Sequence, residues 1–259
     1  ISAITPFNHP MNQVAHKIVP AIAPNNRMVL KPSEKVPLSA LLLADILYEA
    51  GLPPAMFQVV TGDPTEIAHE MLTNPHIDLV TFTGGVAIGK HIAQTVGYRR
   101  MVLELGGNDP IIVMDDADLE EAAMLAISGS YKNSGQRCTA VKRILVQDNI
   151  ADAFVEKLLA KTQVWKFGNP ADPDVDMGTV IDQQAASLFE TRVNEAVAQG
   201  AKLLCGNHRE GALYAPTLLD HVLPHMTLVR EETFGPVSPV MRFNNLDEAI
   251  HIVNGTAYG

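Results

Sequence analysis

The sequence predicts an α/β protein in which a Rossmann-like domain with a parallel sheet precedes a second, mixed α/β domain. Short β-rich runs alternate with amphipathic helical runs as far as Gly106 and Gly107, and this rhythm loosens afterwards. Strand, helix and strand in this order form right-handed βαβ units on a parallel sheet. Apolar residues make up 47% of the 259 residues, enough to bury a sizeable core. We therefore expect a nucleotide-type domain at 1–106 and a second domain at 107–259.

Strands and helices alternate throughout the first predicted domain. The strand "RMVL" is followed by a helix with leucines at helical spacing, which ends at Gly51 ahead of two prolines. "FQVVTG" is the next strand, and Asp63 and Pro64 suit the N-cap and first position of the helix after it. The strands "DLVTFTG" and "MVLEL" flank the helical run "GVAIGKHIAQTVG". Each strand thus leads through a helix to a parallel neighbour.

The second predicted domain mixes strands, helices and one long loop. "PIIVM" and "RILV" are predicted strands, and each is followed by an amphipathic helical run. The segment "KFGNPADPDVDMG" is rich in Pro, Gly and Asp, which predicts a loop. A helix at about 183–199 and the strands "KLLCG", "YAPTLL" and "GPVSPVMRF" complete the domain.

Charge and composition exclude several classes of function. A net charge of -10 and a pI near 5.3 argue against nucleic-acid binding, which needs a basic surface. No apolar run approaches the roughly 20 residues that span a membrane. Cys138 and Cys205 lack both metal-ligand spacing and a disulfide framework, so we expect no metal and a reducing, cytoplasmic location. The chain starts without Met, in the middle of an apolar run, and we expect an internal portion of a longer protein.

Two segments of the first domain are candidates for binding a nucleotide. Gly84 and Gly85 lie between a predicted strand and a helix, where glycine lets a phosphate approach backbone N–H groups. A tight strand-to-helix turn would also need glycine, so this pattern alone leaves both interpretations open. In "LKPSE", Lys31 and Glu34 follow a strand and could bond ribose hydroxyls. A solvated Pro-Ser turn is the alternative for that segment.

Three residues are candidates for catalysis. Cys138 follows Arg137 in a locally basic stretch, and neighbouring cations lower the pKa of a thiol and favour the nucleophilic thiolate. Glu104, between two leucines at a strand end, could act as a general base or could simply point outward. Asn8 precedes His9 and a proline; its amide could donate to an oxyanion, or it could serve only in a turn.

Other charged residues have simpler predicted roles. In "REETFGP", Glu231 and Glu232 are by default solvated charges. Lys142 and Arg143 lead into the strand "RILV", and we expect both to lie at the surface. Cys205 is expected to be an inert thiol.

Taken together, the motifs resemble the aldehyde dehydrogenase superfamily. "TPFN", "LKPSE", "FTGG", "LELGGNDP", "NSGQRC" and "REETFGPV" occur in the order and approximate spacing of that family, and the resemblance covers essentially the whole chain. It implies an aldehyde dehydrogenase fold, incomplete at both ends, with an NAD-binding domain followed by a catalytic domain. It also implies NAD rather than NADP as cofactor, because Glu34 would repel a 2′-phosphate.

The resemblance implies a role for each candidate residue. The catalytic residues would be Cys138 as nucleophile, Glu104 as general base, and Asn8 as oxyanion donor together with the backbone N–H of Cys138. The cofactor contacts would be Lys31 and Glu34 at the adenosine ribose, Gly84 and Gly85 at the pyrophosphate, and Glu232 and Phe234 at the nicotinamide ribose and ring.

The expected reaction is the oxidation of an aldehyde to its acid through a cysteine thiohemiacetal and a thioester. Arg137 and His9 suggest a substrate with an anionic tail, and the chain is most similar to the phosphonoacetaldehyde dehydrogenase branch. Arg137 could instead pack against a helix or lower the pKa of the thiol. Lactaldehyde, succinate semialdehyde and glyceraldehyde 3-phosphate are alternative substrates, and acyl transfer to coenzyme A is an alternative to hydrolysis.

Two further alternatives remain open at this point. A cysteine-dependent thioester acyltransferase or hydrolase would use the same residues without hydride transfer, and a fold fragment would have no catalytic role. We expect a small aldehyde as substrate, no nucleic-acid or membrane partner, and a homodimer or homotetramer in the full-length protein.

Overall fold

The computed structural model describes residues 1–258, which divide into two compact units. The first unit is Ile1–Gly106, and the second begins at Gly107. The predicted second domain runs to residue 259, which lies outside the described residues. Among the described residues, no helix combines the length and apolar character needed to cross a membrane.

The first unit is built on a five-stranded parallel sheet. Its strands are β1 (Ser2–Ile4), β2 (Met28–Lys31), β3 (Phe57–Val59), β4 (Leu79–Thr83) and β5 (Arg100–Glu104). They lie in the order β3-β2-β1-β4-β5, and every pairing is parallel. The chain order reverses direction between β1 and β4, and ligands of open α/β sheets bind at such a switch point, outside the carboxyl ends of the strands. The predicted Rossmann-like sheet is confirmed.

Four helices connect these strands. They are α1 (Asn12–Ile22), α2 (Leu38–Glu49), α3 (Pro64–Thr73) and α4 (Val86–Val96). The Asp63 side chain accepts a hydrogen bond of 2.7 Å from the backbone N–H of Thr65 and caps α3, as predicted. Gly51 follows α2 with a φ of +94°, a left-handed conformation that favours glycine after a helix. Local sequence chemistry therefore sets the ends of both helices.

The second unit contains a five-stranded mixed sheet and a two-stranded hairpin. Its strands are β6 (Asp109–Val113), β7 (Val141–Gln147), β8 (Lys202–Cys205), β9 (Arg209–Glu210), β10 (Leu213–Tyr214), β11 (Thr217–Asp220) and β12 (Val237–Phe243). The large sheet has the order β6-β7-β12-β11-β8, and β9 pairs with β10. All neighbours in the large sheet are parallel except β8, which runs antiparallel to β11. The mixed α/β character predicted for this half is confirmed.

Five helices cover the strands of the second unit. They are α5 (Leu119–Tyr131), α6 (Asp148–Gln163), α7 (Gln183–Ala198), α8 (Thr227–Arg230) and α9 (Leu246–Val253). The side chains of Asp118, Asp182 and Asn245 accept backbone N–H bonds at the starts of α5, α7 and α9. Two apolar clusters lie between the helices and the sheet. The fold thus holds β7 in the interior of the second unit.

The prediction that Arg143 lies at the surface is wrong. Arg143 is buried in β7; its Nε donates to the backbone carbonyl of Asn108 at 2.7 Å, and its Nη1 donates to that of Val253 at 3.0 Å. The reason is the position of β7 between β6 and β12, since strands inside a parallel sheet are covered on both faces. A charged pair before an apolar run gives no indication of that position.

Candidate active site

The carboxyl ends of the first unit's strands bring several predicted site residues to one edge of the sheet. Ile4 lies opposite Lys31 and Phe82, and Thr83 lies opposite Glu104. The turn of Gly84 and Gly85 therefore starts at the same edge. Asn8 and His9 are half-buried and lie between β1 and α1, which leaves that edge. Six predicted site residues thus lie at, or directly follow, the carboxyl ends of four neighbouring strands: Asn8, His9, Lys31, Gly84, Gly85 and Glu104.

A cavity of about 530 Å³ opens at this edge. Its lining includes Lys31, Glu34 and the two glycines, with apolar walls from the helices and from Phe82. The hydroxyls of Thr5 and Thr83 also belong to the lining; both are buried and have no hydrogen-bond partner within residues 1–258. The volume lies in the range of small-molecule sites, and the unpaired hydroxyls could bond a polar ligand.

The glycine turn has a steric requirement at one of its two positions. A Cβ on Gly84 would lie 2.4 Å from the ring of Phe82, so a side chain cannot be accommodated without displacing that ring. The Gly84 N–H donates to the carbonyl of Glu104 at 3.0 Å and ties the turn to β5. Gly85 borders open space and is the N-cap of α4, without a side-chain hydrogen bond at the cap. The first N–H groups of α4 can therefore serve an anion.

Lys31 and Glu34 form an ion pair beside the cavity. The Lys31 side chain is only 3% exposed, and its Nζ lies 3.2 Å from Glu34 Oε2. A backbone hydrogen bond at Glu34 lowers the pKa of its carboxyl below the usual value, and Lys31 contributes in the same direction. The solvated-turn alternative is wrong for Lys31. Carboxylate and ammonium together offer acceptors and donors for sugar hydroxyls, and the open helix start beside them suits a phosphate, so these residues fit a nucleotide.

Glu104 is the last residue of β5 and is exposed. The flanking Leu103 and Leu105 are partly buried and pack against the core of the first unit. Alternation along the strand thus separates the carboxylate from its apolar sequence neighbours. The Glu104 side chain therefore points outward, and its exposure leaves the carboxylate accessible to water.

Lys17 is a buried residue that the sequence reasoning missed. It lies in α1, and its Nζ donates to Thr81 Oγ1 on β4 at 2.9 Å. Burial lowers the pKa of Lys17 to about 8, although the charge of Glu104 raises it in the opposite direction. Val14, Lys17, Ile18 and Ala21 form the buried face of α1. Helical spacing could have identified this lysine, because it falls in register with three apolar core positions.

The ionisation of Lys17 should make the stability of the protein depend on pH. Its folded pKa of about 8 lies below the unfolded value of 10.5, so the unfolded chain binds more protons between these limits. Stability should therefore rise with pH in this window, by up to about 3 kcal/mol, and this rise should disappear in Lys17→Met. Urea denaturation followed by circular dichroism between about pH 7 and about pH 10 measures it. If the difference in free energy of unfolding between the wild type and Lys17→Met stays constant across this window, the expectation is contradicted. Lys90→Met, which replaces an exposed lysine of α4, is the control.

The segment before Cys138 has an unusual backbone. The short turn Lys132–Gly135 follows α5, and Asn133, Ser134 and Gly135 have φ values of 56°, 55° and 68°. Left-handed conformations are unfavourable for residues other than glycine and persist where surrounding contacts hold them. Ser134 Oγ donates to the carbonyl of Gly178 at 3.0 Å, which supplies one such contact. This segment leads to Cys138, a free and half-buried cysteine.

Arg137 is anchored to the end of the preceding helix. Its Nη2 donates to the backbone carbonyls of Ser128 and Gly129 in α5. Its Nε is buried and has no hydrogen-bond partner in the described part of the chain. The helix-packing alternative for Arg137 predicts these carbonyl contacts. A guanidinium has five N–H groups, so the packing contact does not use all of its donors.

Lys142, Glu232 and Phe234 form a cluster beside the nucleophile segment. Lys142 Nζ donates to the carbonyl of Cys138 at 2.8 Å, lies 3.2 Å from Glu232 Oε1 and sits 5.7 Å from the ring centre of Phe234. The surface prediction for Lys142 and the solvated default for Glu232 are both wrong, since their side chains are 3% and 14% exposed. Gly107, to which no site role was assigned from the sequence, donates its N–H to Glu232 Oε1 at 3.1 Å.

Comparison with known proteins identifies the family of this chain. The model of the Aldehyde dehydrogenase family matches residues 1–259. A 3-sulfolactaldehyde dehydrogenase of Priestia megaterium is 46% identical over the whole of this chain, which covers 54% of that protein. A sulfoacetaldehyde dehydrogenase of Neptuniibacter caesariensis is 41% identical, again over the whole chain and 57% of that protein. The chain thus spans about half the length of the curated relatives it matches.

A solved structure agrees with the sequence comparison. The crystal structure of a glyceraldehyde-3-phosphate dehydrogenase from Methanocaldococcus jannaschii, complexed with NADP, superposes with a TM-score of 0.96 at 41% identity. It covers the whole of this chain and 57% of the solved one. The predicted resemblance to the aldehyde dehydrogenase superfamily and the predicted fold class are confirmed by both comparisons. The chain belongs to the aldehyde dehydrogenase family.

Proposed function

We propose that the protein oxidises a small aldehyde to its carboxylic acid with NAD(P) as hydride acceptor. The observation that carries the proposal is the presentation of Cys138 at the end of a left-handed segment, with its carbonyl bound by Lys142 in the cluster that also contains Glu232 and Phe234. Membership of the aldehyde dehydrogenase family supports the reaction class. The two units have separate parts in the proposed chemistry.

Cys138 has the role of nucleophile. Its thiolate adds to the aldehyde carbon, and the oxygen becomes an oxyanion that the Asn8 amide and the Cys138 backbone N–H stabilise. A bound nicotinamide would supply the hydride acceptor, and loss of the hydride from the thiohemiacetal carbon would leave a thioester on Cys138. Glu104 then accepts a proton from water, the hydroxide adds to the thioester, and the acid leaves with regeneration of the thiolate.

The first unit has the role of holding the adenosine half of the cofactor. Lys31 and Glu34 would bond the ribose hydroxyls, and Gly84 and Gly85 would accommodate the pyrophosphate at the start of α4. The Lys31–Glu34 ion pair and the open helix start support this assignment. Glu232 and Phe234, in the second unit, would contact the nicotinamide ribose and ring. A charged Glu34 favours NAD over NADP, because a 2′-phosphate would meet a carboxylate.

The substrate we propose is a short aldehyde with an anionic tail, such as a sulfonate, a phosphonate or a phosphate. The names of the relatives, which act on sulfolactaldehyde and sulfoacetaldehyde, support this class, and phosphonoacetaldehyde belongs to it. Arg137 and His9 are the residues proposed to meet the anion. A guanidinium already oriented by α5 loses little further freedom when an oxyanion binds it.

A panel of aldehydes tests this function in the complete natural protein. We expect NADH to form with 3-sulfolactaldehyde, sulfoacetaldehyde or phosphonoacetaldehyde, with kcat/KM at least about tenfold above that for the neutral lactaldehyde. Arg137→Gln should reduce kcat/KM for the anionic aldehydes by about 10–100-fold and leave that for lactaldehyde within about threefold. The measurement is the initial rate at which the absorbance of NADH or NADPH increases, with NAD and with NADP as cofactor.

The control for the panel is Lys132→Gln, because Lys132 is an exposed cation of the same segment. Equal losses on anionic and neutral aldehydes would assign Arg137 to helix packing alone. If no aldehyde of the panel yields NADH or NADPH while the protein still hydrolyses a thioester, the oxidation itself is refuted.

Two wider properties belong to the same proposal. We propose a cytoplasmic protein, and the two free cysteines among the described residues support a reducing compartment. We also propose a homodimer or homotetramer, which rests on family resemblance.

A further inference from the structure

Lys142 is a buried cation with three different partners. The ammonium donates to the carbonyl of Cys138, pairs with the carboxylate of Glu232 and faces the ring of Phe234. Fully buried lysines are rare unless they are paired, because removing the charge from water costs several kcal/mol. The ammonium has three N–H donors, and two of its contacts, to the Cys138 carbonyl and to Glu232 Oε1, are within hydrogen-bond distance. Lys142 therefore joins the segment of Cys138 to the segment of Glu232.

The carboxylate of Glu232 is held through one of its two oxygens. Oε1 accepts from the Gly107 N–H at 3.1 Å and lies 3.2 Å from Lys142 Nζ. Oε2 accepts no hydrogen bond from any group in residues 1–258. One fixed oxygen sets the direction of the other. The arrangement leaves Oε2 as an oriented acceptor for a ligand hydroxyl.

The carbonyl of Cys138 is enclosed on a second side by the backbone. A Cβ on Gly107 would lie 2.4 Å from this oxygen, so the glycine packs directly against it. Lys142 Nζ approaches the same oxygen at 2.8 Å. Gly107 and Lys142 thus contact both the Cys138 carbonyl and Glu232 Oε1. The peptide group of Cys138 and the carboxylate of Glu232 share two supports.

The two segments also meet through a pair of glycines. A Cβ on Gly135 would lie 2.2 Å from the carbonyl oxygen of Gly235, so these backbones are in direct contact. Gly135 belongs to the left-handed run before Cys138, and Gly235 follows Phe234. The glycine contact sets the distance between the Cys138 segment and the Glu232 segment. The ammonium of Lys142 attracts both segments and holds their relative position.

We propose that Lys142 is a positioning residue that couples the orientation of Cys138 to that of Glu232. The inference rests on the proposed function, in which Cys138 is the nucleophile and Glu232 contacts the cofactor. Lys142 touches neither substrate nor cofactor in this role; it acts through the carbonyl of one residue and the carboxylate of the other. Its removal should disturb cofactor binding and the reactivity of the thiol together.

The test uses Lys142→Met, Glu232→Gln and the double variant in the complete natural protein. Two measurements avoid turnover: the Kd of NAD from calorimetry, and the rate at which iodoacetamide alkylates Cys138 without cofactor. Lys142→Met should raise the Kd of NAD at least about tenfold and change the alkylation rate at least about threefold. The double variant should have the same Kd of NAD and the same alkylation rate as Lys142→Met within about twofold, because the effects of coupled residues are not additive.

Lys157→Met is the matched control. Lys157 also pairs with a glutamate, Glu120, at 3.1 Å, but this lysine is 40% exposed and its partner 62%. An exposed pair contributes little, so both measurements should keep their wild-type values. A lowered melting temperature of Lys142→Met with wild-type Kd and alkylation rate would reduce Lys142 to a packing residue and overturn the inference.

The outcomes also separate this inference from the proposed function. If the wild type binds neither NAD nor NADP and reduces neither, the proposed function fails. If the wild type binds NAD and Lys142→Met binds it equally well, only the coupling fails. Should Lys142→Met not fold, Glu232→Gln decides: a changed alkylation rate supports the coupling, and an unchanged rate overturns it.

Discussion

Cys138→Ser should reduce aldehyde-dependent NADH formation by at least about 10⁴-fold, to the background rate. The proposed reaction begins with a covalent bond from the thiolate, and a serine hydroxyl stays protonated and weakly nucleophilic without an adjacent strong base. The left-handed segment and the carbonyl contact from Lys142 do not involve the sulfur atom, so the fold should be retained. Absorbance of NADH measures the loss, and calorimetry should show NAD binding within about threefold of wild type.

Cys205→Ser is the control for this experiment. Cys205 is the last residue of β8, and burial raises the pKa of its thiol, which keeps the sulfur protonated and unreactive. This variant should retain turnover. Appreciable NADH formation by Cys138→Ser, or its loss in Cys205→Ser alone, would transfer the nucleophile role to another residue.

Glu104→Gln should slow steady-state turnover by about 10²–10⁴-fold and leave the first turnover largely intact. Glutamine has the shape of glutamate but cannot accept a proton from water, so the thioester on Cys138 should accumulate. Rapid mixing should therefore show a burst of NADH equal to the number of active sites, followed by a slow phase. Because Glu104 is exposed, the substitution creates no buried unpaired group and should not affect folding.

Glu49→Gln, at the exposed end of α2, is the control for the same assay and should behave as wild type. Loss of the burst together with the steady state would place Glu104 before hydride transfer. Retention of full turnover would exclude it as the base for hydrolysis.

Much of the fold could be predicted because its determinants are local. The N-cap at Asp63 and the glycine after α2 act within one turn of their helices, and the alternation of strands and helices predicts a parallel sheet. The strand order of the second unit could not be predicted in this way. β12 lies beside β7 although they are far apart in sequence, and no local pattern encodes that pairing.

The same limit explains the site residues that the sequence reasoning missed or placed wrongly. Lys142 and Arg143 look like surface charges unless β7 is known to be an interior strand. The contact of Arg137 with α5 requires the chain to turn back through three left-handed residues, and the sequence "KNSG" does not predict that conformation. Cys138 itself could be singled out, because its sequence neighbours carry the chemistry.

Trp165 is the only tryptophan in the sequence, and its position has a spectroscopic consequence. Its ring packs edge-on against that of Tyr131 at 5.9 Å between centres, and Tyr131 directly precedes the left-handed segment that leads to Cys138. Tryptophan emission therefore comes from the second unit, next to the nucleophile segment, and the first unit contributes no tryptophan signal. The natural fluorescence of the chain can follow the two units separately when it is compared with a signal from the whole backbone.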